Sequence, residues 1–279
     1  MDFQAYSNRI GFTGKAAPDL ATLNELHLLH PLAIPFENLS SFTGSGVSLD
    51  PAAVFDKLVH RGRGGYCFEQ NLLFSTMLRD IGFEVTTHAA RVVWMGTPKT
   101  EMPRTHKLLK VTIDGVDYIA DVGFGGMTMT APLRLVMDEI QPTPHENFRF
   151  TRDGDDYRLS AQLKDGWKDM YVFDLSTQLP IDFVLANYFV DTNPNSHFTH
   201  TLILAKPYKN GRHAFFNDTW TKYSKDGQKT EKRYTEPSGI INMLDEIFRV
   251  HLEGTIDRAV LEKRLESLLA GIREQSGQE

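Results

Sequence analysis

The only cysteine of this 279-residue chain, Cys67, lies in a context that favours a reactive thiolate. It lies two residues after the Gly64-Gly65 pair. It also begins an apolar pattern that predicts a helix to about residue 80. Unpaired amides and the positive end of the helix dipole stabilise a thiolate there, and the same amides could hold an oxyanion. Because a lone cysteine is more often a small buried hydrophobic residue, this nucleophile needs a partner.

A predicted β-hairpin supplies the partner. Two β-rich runs flank Asp114-Gly115, the dipeptide preferred by two-residue type I′ turns. Counting back from this turn puts His106 and Asp121 on the same face of the hairpin. They are diagonal neighbours, about 7–8 Å apart at the backbone, and their side chains can close that separation to a hydrogen bond. The sequence therefore predicts that an imidazole and a carboxylate meet.

Such a carboxylate fixes the tautomer of the histidine, favours the imidazolium and leaves the second ring nitrogen for a third group. An isolated histidine and aspartate at a strand end more often merely solvate the edge of a sheet. With a cysteine in an activating context, the better interpretation is a catalytic triad of Cys67, His106 and Asp121.

A glycine-rich segment, Gly123, Phe124, Gly125 and Gly126, follows the aspartate directly. Three glycines in four residues let the backbone approach a ligand closely, although the pattern is neither a Walker loop nor a dinucleotide fingerprint. A glycine-rich strand exit explains the pattern equally well, and Phe124 could line a pocket or fill the core. The residues alone leave these alternatives open.

Composition argues against several other classes of protein. A hydrophobic fraction of 41% suits a globular chain with a real core, and a net charge of -6 without a basic, aromatic-rich stretch predicts no nucleic-acid partner. No run approaches the roughly 18 apolar residues of a membrane span. The first residues are mixed polar and lack the pattern of a basic segment followed by an apolar one. We therefore expect a cytoplasmic protein with no membrane partner.

We also predict no metal. A single cysteine excludes an internal disulfide, and neither paired cysteines nor the His-Glu-x-x-His spacing is present. His27 with His30, and His197 with His200, have the spacing of helix neighbours. A lone histidine pair is far more often on the surface or satisfied in the core than bound to a metal.

The order of the patterns predicts an α+β fold of three domains. Residues 1–84 are mainly helical and carry the cysteine, and residues 85–190 are β-rich runs that suggest a small barrel or curled sheet with the histidine and aspartate. Residues 191–279 mix strands with two helical patterns. No repeat or low-complexity segment interrupts them.

Four segments together resemble the arylamine N-acetyltransferases. They are Pro-Phe-Glu-Asn-Leu at 35–39, Arg-Gly-Gly-Tyr-Cys-Phe-Glu-Gln-Asn at 63–71, Thr-His-Lys-Leu-Leu at 105–109, and Asp-Val-Gly-Phe-Gly at 121–125. Order, spacing and length agree along the whole chain. The resemblance implies a cysteine-protease-like core, made by a helical first domain and a β-barrel second domain, with an α/β third domain as a lid.

The resemblance also implies a ping-pong cycle that moves acetyl groups from acetyl-coenzyme A to small aromatic amines or hydrazines. Cys67 corresponds to the acetylated nucleophile, His106 to its ion-pair partner and base, and Asp121 to the orienting carboxylate. No metal takes part in this cycle.

Further positions carry over from the same motifs. The glycine segment 123–126 corresponds to the coenzyme A contact loop, and Phe36 and Phe124 to aromatic residues of the acceptor pocket. Glu37 and Arg63 match positions that look structural, as an ion pair supporting the cysteine loop. No site residue is assigned beyond about residue 126.

Two other functions fit the same residue types. A papain-like or transglutaminase-like thiol hydrolase would use a similar triad, but papain-like proteases place an oxyanion glutamine shortly before the cysteine, and here the only earlier glutamine is Gln4. A non-catalytic binding protein would instead bury Cys67 as an inert thiol, without fast alkylation at neutral pH.

Overall fold

Helices dominate the first third of the chain in the computed structural model, which describes residues 1–176 and 178–276. Asp2, Asp19 and Asp50 cap three of these helices, because each side chain accepts a backbone N–H from the first helical turn. The elements are α1 Phe3–Ile10, α2 Leu20–Ala33, β1 Phe36–Glu37, α3 Leu39–Thr43, α4 Pro51–Phe55, continued as a π-helical turn over Asp56–His60, and α5 Cys67–Ile81.

The apolar stripe of α5 holds the helical part together. Leu73, Phe74, Met77 and Leu78 repeat at three- and four-residue spacing and are almost fully buried. They share one core with α1, α2, α4 and the outer face of a hairpin from the next part of the chain. Each such side chain contributes about 1.5–3 kcal/mol by leaving water, so the second half of α5 is held firmly in this core.

Eight antiparallel strands form a nearly closed, barrel-like sheet in the middle of the chain. Its inward-facing side chains, among them Phe148, Phe150 and Leu159, fill a separate core. The strands are β2 Glu84–Val92, β3 Arg104–Ile113, β4 Val116–Ala120, β5 Leu133–Arg134, β6 Gln141–Pro142, β7 Asn147–Asp153, β8 Asp156–Leu163 and β9 Gly166–Phe173, in the spatial order β5-β4-β3-β2-β9-β8-β7-β6.

The hairpin of β3 and β4 has the register predicted from its turn. Asp114 and Gly115 both take positive φ angles, 50° and 76°, as a type I′ turn requires. Leu109 pairs with Ala120. Asp121 directly follows β4. By the alternation of side chains it therefore lies on the same face of the hairpin as His106.

The last part of the chain is a five-stranded antiparallel sheet with three helices. Its first strand comes from the helical part, because Phe36 pairs with Ala205 and Glu37 with Leu204. The sheet is thus joined directly to the segment that precedes the cysteine. The elements are α6 Pro180–Thr192, β10 Ile203–Tyr208, β11 Gly211–Phe216, β12 Thr219–Ser224, β13 Lys229–Arg233, α7 Pro237–Glu246 and α8 Arg258–Ser276.

The predicted α+β architecture of helical, barrel and α/β parts is confirmed, whereas the limits 1–84, 85–190 and 191–279 stay predictions. The β-rich region expected up to residue 190 ends earlier, with β9 at Phe173, because the next element is the helix α6. Its sequence is apolar on nearly all sides, which hides the helical period. Only Phe183, Asn187, Val190 and Asp191 are buried on it.

The longest helix, α8, is amphipathic. Leu261, Leu265 and Leu269 repeat every four residues and pack into the core of the last part, while charged side chains cover the opposite face. Within residues 1–176 and 178–276, no helix combines the length and the apolar character that crossing a membrane requires.

Two glycine variants test the backbone assignment. A methyl group at Gly115 or Gly271 meets no atom within 4 Å, so only the backbone conformation distinguishes the two sites. Gly115→Ala should lower the free energy of unfolding by about 1–2 kcal/mol, because an L residue is strained at positive φ. Gly271→Ala, inside α8, should raise it by about 0.5–1 kcal/mol. Urea denaturation measures both, and shifts of the same sign would contradict the assigned turn.

Candidate active site

Cys67 is the first residue of α5 and is buried. Glu69 caps the start of the helix, because its Oε2 accepts a hydrogen bond from the backbone N–H of Tyr66 at 3.1 Å. Lys57 neutralises Glu69 at 2.6 Å. The thiol points toward the start of β3, where Sγ lies 3.6 Å from the carbonyl oxygen of Thr105. The nucleophile candidate therefore faces the strand that carries the next candidate, one residue further on.

An ion pair beneath the cysteine loop joins Arg63 to Glu37. Nη2 of Arg63 lies 2.8 Å from Oε1 of Glu37, and both side chains are almost completely buried. Burial opposes ionisation of Glu37, but the charges of Arg63 and Lys57 outweigh it and lower the pKa of the carboxyl. Because Glu37 also accepts the N–H of Leu39 at 2.7 Å, the pair connects β1, α3 and the loop before Cys67.

His106 and Asp121 form the hydrogen bond that the hairpin register predicts. Nε2 of His106 donates to Oδ2 of Asp121 at 2.7 Å, with both side chains buried. Burial lowers the pKa of His106, but the charge of Asp121 and the hydrogen bond outweigh burial and raise it to about 10. The thiol of Cys67 also interacts with the ring and raises the pKa of His106 further. Because Nε2 already bonds Asp121, Nδ1 is the ring nitrogen available to the thiol.

Asn71, one turn after Cys67 on α5, holds the carboxylate in place. Its Nδ2 donates to Oδ1 of Asp121 at 2.9 Å and to the carbonyl oxygen of Lys107 at 2.7 Å. Its Oδ1 accepts the N–H of Val122 at 3.1 Å. Sequence reasoning assigned no role to Asn71, although its four-residue spacing from the cysteine places both on one side of the helix.

The histidine pair of α2 lies behind this carboxylate and not on the surface. Nε2 of His27 accepts the backbone N–H of Asp121 at 3.1 Å, and burial lowers the pKa of His27 to about 4, so the ring is neutral. His30 bonds Gln70 at 2.7 Å and Tyr6 at 2.8 Å. In the part of the chain that the structure describes, no group of three or more potential ligands is arranged to hold a metal.

Aromatic rings surround the imidazole. The ring centroid of His106 lies 5.4 Å from that of Phe124 and 5.0 Å from that of Tyr171, and Trp94 packs on Phe124 at 6.2 Å. Burial and the negative charge of Asp121 raise the pKa of the Tyr171 phenol, which stays protonated. Tyr171 and Trp94 were not predicted, because they come from distant segments and carry no local motif.

The glycine segment lies directly against the cysteine. A methyl group on Gly123 would stand 2.8 Å from Cα of Cys67, a distance that side chains do not tolerate. Gly125 has a φ of +96° and faces the ring of Phe36, whereas a methyl on Gly126 would meet no atom within 4 Å. The structure thus brings Gly123 and Phe36 close to Cys67, and Phe124 against the ring of His106.

Comparison with known proteins shows the family of this chain. A sequence model of the family described as N-acetyltransferase matches residues 19–256. The arylamine N-acetyltransferase of Mycobacterium tuberculosis H37Rv is 38% identical over 275 residues, which cover 97% of this chain and 96% of the relative. That of Mycolicibacterium smegmatis is 44% identical over 209 residues, covering 74% and 76%.

Solved structures show the same similarity. The arylamine N-acetyltransferase of Mycobacterium marinum superimposes with a TM-score of 0.93 at 35% identity, over 96% of this chain and 100% of that chain. The structure of that protein in complex with CoA gives a TM-score of 0.92 at 35% identity, over 96% and 99%. The fold is that of an N-acetyltransferase, and the chain belongs to the arylamine N-acetyltransferase family.

The protonation of His106 can be measured directly. Its pKa of about 10 lies above the ordinary 6.5, so the stabilisation by the protonated ring is complete below pH 6.5 and is lost as the pH rises through about 10. NMR titration of nitrogen-labelled histidine should show an imidazolium at pH 8. In Asp121→Asn the pKa should fall below 6.5, because burial remains without the charge that offsets it.

The His106→Gln spectrum identifies the resonance, and the neutral rings of His27 and His30 serve as internal controls that do not titrate near pH 8. An unchanged midpoint for His106 in Asp121→Asn would contradict the electrostatic origin of the shift.

Proposed function

We propose that this protein moves an acetyl group from acetyl-coenzyme A to the nitrogen of a small aromatic amine or hydrazine, through a thioester on Cys67. The observation that carries the proposal is the buried hydrogen bond of His106 to Asp121 beside the only cysteine of the chain. The CoA complex of the M. marinum relative supports coenzyme A as the carrier of the acyl group. The names of the relatives support an arylamine as the acceptor.

In the first half-reaction, the Cys67 thiolate attacks the carbonyl carbon of the acetyl thioester. The tetrahedral oxyanion accepts hydrogen bonds from free amides in the first turn of α5. When the carbon–sulfur bond to coenzyme A breaks, Nδ1 of the His106 imidazolium gives its proton to the departing sulfur. The products are free coenzyme A, a neutral His106 and an acetyl-cysteine.

In the second half-reaction, the amine nitrogen attacks the acetyl-cysteine. Aromatic amines are mostly neutral at physiological pH and are nucleophilic without prior proton removal. Neutral His106 takes the proton as the new carbon–nitrogen bond forms, and the carbon–sulfur bond of Cys67 breaks. The imidazolium and the thiolate are restored together, which returns the ion pair to its starting state.

The remaining site residues hold these groups in place. Asp121 orients the ring of His106 and stabilises its charged form, because it accepts a hydrogen bond from Nε2 at 2.7 Å. Glu37 and Arg63 fix the loop that ends at Cys67. The glycine segment 123–126 gives coenzyme A a close approach to the backbone. Phe124 and Phe36 form the aromatic wall for the acceptor.

No step of the proposed cycle uses a metal, a nucleic acid or a membrane. Each of these expected absences remains a prediction from the sequence, as does the cytoplasmic location.

Intact-protein mass spectrometry tests the proposal. After mixing with acetyl-coenzyme A, the protein should gain the mass of one acetyl group, and the added mass should disappear when an aromatic amine or hydrazine is supplied. Cys67→Ala should gain nothing, because the acceptor sulfur is missing. Loss of the acetyl group should coincide with the appearance of the N-acetylated amine.

A chain that stays unmodified, while a small alkylating agent still labels Cys67, would contradict the proposal. It would favour a thiol hydrolase, which a peptide or ester hydrolysis assay without amine would then reveal.

A further inference from the structure

An ion pair far from Cys67 in the sequence, with a buried arginine and a partly buried glutamate, joins the barrel to the last sheet. Arg212 on β11 meets Glu146, which precedes β7, in a two-pronged contact: Nε lies 2.8 Å from Oε1, and Nη2 contacts Oε2. Arg212 is only 5% exposed. An apolar pair of similar volume is often at least as stable as a buried ion pair, so a gain in stability does not by itself explain this contact.

Arg212 also holds the turn Gly125–Thr128, which overlaps the end of the glycine segment. Its Nη2 donates to the carbonyl oxygen of Thr128 at 2.8 Å. Thr128 in turn closes a tight turn with Gly125: its Oγ1 accepts the N–H of Gly125 at 2.7 Å, and its own N–H donates to the Gly125 carbonyl at 3.1 Å. The turn Gly125–Thr128 is therefore closed internally and anchored from outside by one guanidinium group.

His145 gives a parallel link beside the ion pair. Its Nε2 lies 2.7 Å from the carbonyl oxygen of Tyr208, which can only accept, so Nε2 carries the proton and Nδ1 accepts from Oγ1 of Thr130 at 3.0 Å. The loop before β7 is thus held against both the β10–β11 hairpin and the segment that follows Thr128. This leaves little freedom for the turn to shift.

The other end of the glycine segment is fixed by the candidate active site. The N–H of Gly123 donates to Oδ1 of Asp121 at 2.9 Å, and Gly123 packs on the backbone of Cys67. Residues 123–128 are therefore hydrogen-bonded at one end to the carboxylate of Asp121 and at the other end to the guanidinium of Arg212. The position of the intervening backbone depends on both.

We propose that Arg212 is a positioning residue for the acyl donor. By anchoring the turn Gly125–Thr128, it shapes the backbone surface on which coenzyme A lies, without touching the reacting atoms. The inference rests on the proposed function, in which acetyl-coenzyme A is the donor. Without Arg212, the donor must order this turn as it binds, which weakens binding and leaves the chemistry at Cys67 unchanged.

Two acyl donors separate these effects. Arg212→Met should raise the KM for acetyl-coenzyme A at least tenfold. Acetylation of Cys67 by p-nitrophenyl acetate, a small ester without the coenzyme A part, should stay within twofold of the wild-type rate, as should transfer from acetyl-cysteine to an aromatic amine. Rapid-quench mass spectrometry measures all three steps, and the retained ester reaction shows that the variant is folded.

Two variants serve as controls. Arg158→Met removes two ion pairs within the barrel, to Asp153 at 2.7 Å and to Asp169 at 2.5 Å, and should leave the KM for acetyl-coenzyme A unchanged. The double variant Arg212→Met/Glu146→Met removes the unpaired charge that the single variant leaves behind. Its KM should stay high, because Thr128 is still not anchored; recovery of the wild-type KM would mean that only the stranded charge mattered, and would overturn the proposal.

An unchanged KM in Arg212→Met would overturn the proposal, and so would an equal loss with both donors, which would mark a purely structural role. In both cases the wild-type protein is acetylated by acetyl-coenzyme A. A wild-type protein that takes an acetyl group only from p-nitrophenyl acetate would instead overturn the proposed donor, and this inference with it.

Discussion

A carboxylate with no access to water needs hydrogen-bond donors on all sides, and Asp121 obtains them from three different parts of the chain. His106 on β3, Asn71 on α5 and the N–H of Gly123 all donate to its two oxygens. Leaving a buried charge unpaired costs on the order of several kcal/mol, so the three donors must arrive together. Helix α5, the β3–β4 hairpin and the glycine segment are thereby locked into one arrangement, which sets the cysteine beside the imidazole.

The same requirement explains why the surroundings are so closely packed. Gly123, which donates to Asp121, lies so close to the backbone of Cys67 that a side chain at this position would not fit. Arg63 and Glu37 brace the loop before the cysteine, and through β1 they connect it to the last sheet. The carboxylate thus joins the helical part to the barrel, and the ion pair of Arg63 and Glu37 links the cysteine loop to the last sheet through β1.

Local chemistry made part of this predictable. Asp114-Gly115 sets a two-residue turn, and alternation along the strands then places His106 diagonally to Asp121 without any tertiary information. Asn71, Tyr171 and Arg212 were beyond such reasoning, because their roles come from contacts across separate elements. Arg212 meets a residue 66 positions away. Their local sequence is that of ordinary helix and strand positions, and only the packing of one element on another gives them a partner.

The central claim is that the acyl group passes through Cys67 before any amine is bound. Isotope exchange tests it most directly: acetyl-coenzyme A is incubated with labelled free coenzyme A and the protein, with no amine present. The account predicts that label enters acetyl-coenzyme A and that Cys67→Ala abolishes the exchange, because the acetyl-cysteine forms reversibly. A wild-type protein that acetylates amines but shows no exchange in their absence would contradict it, since the acetyl group would then pass directly from donor to acceptor.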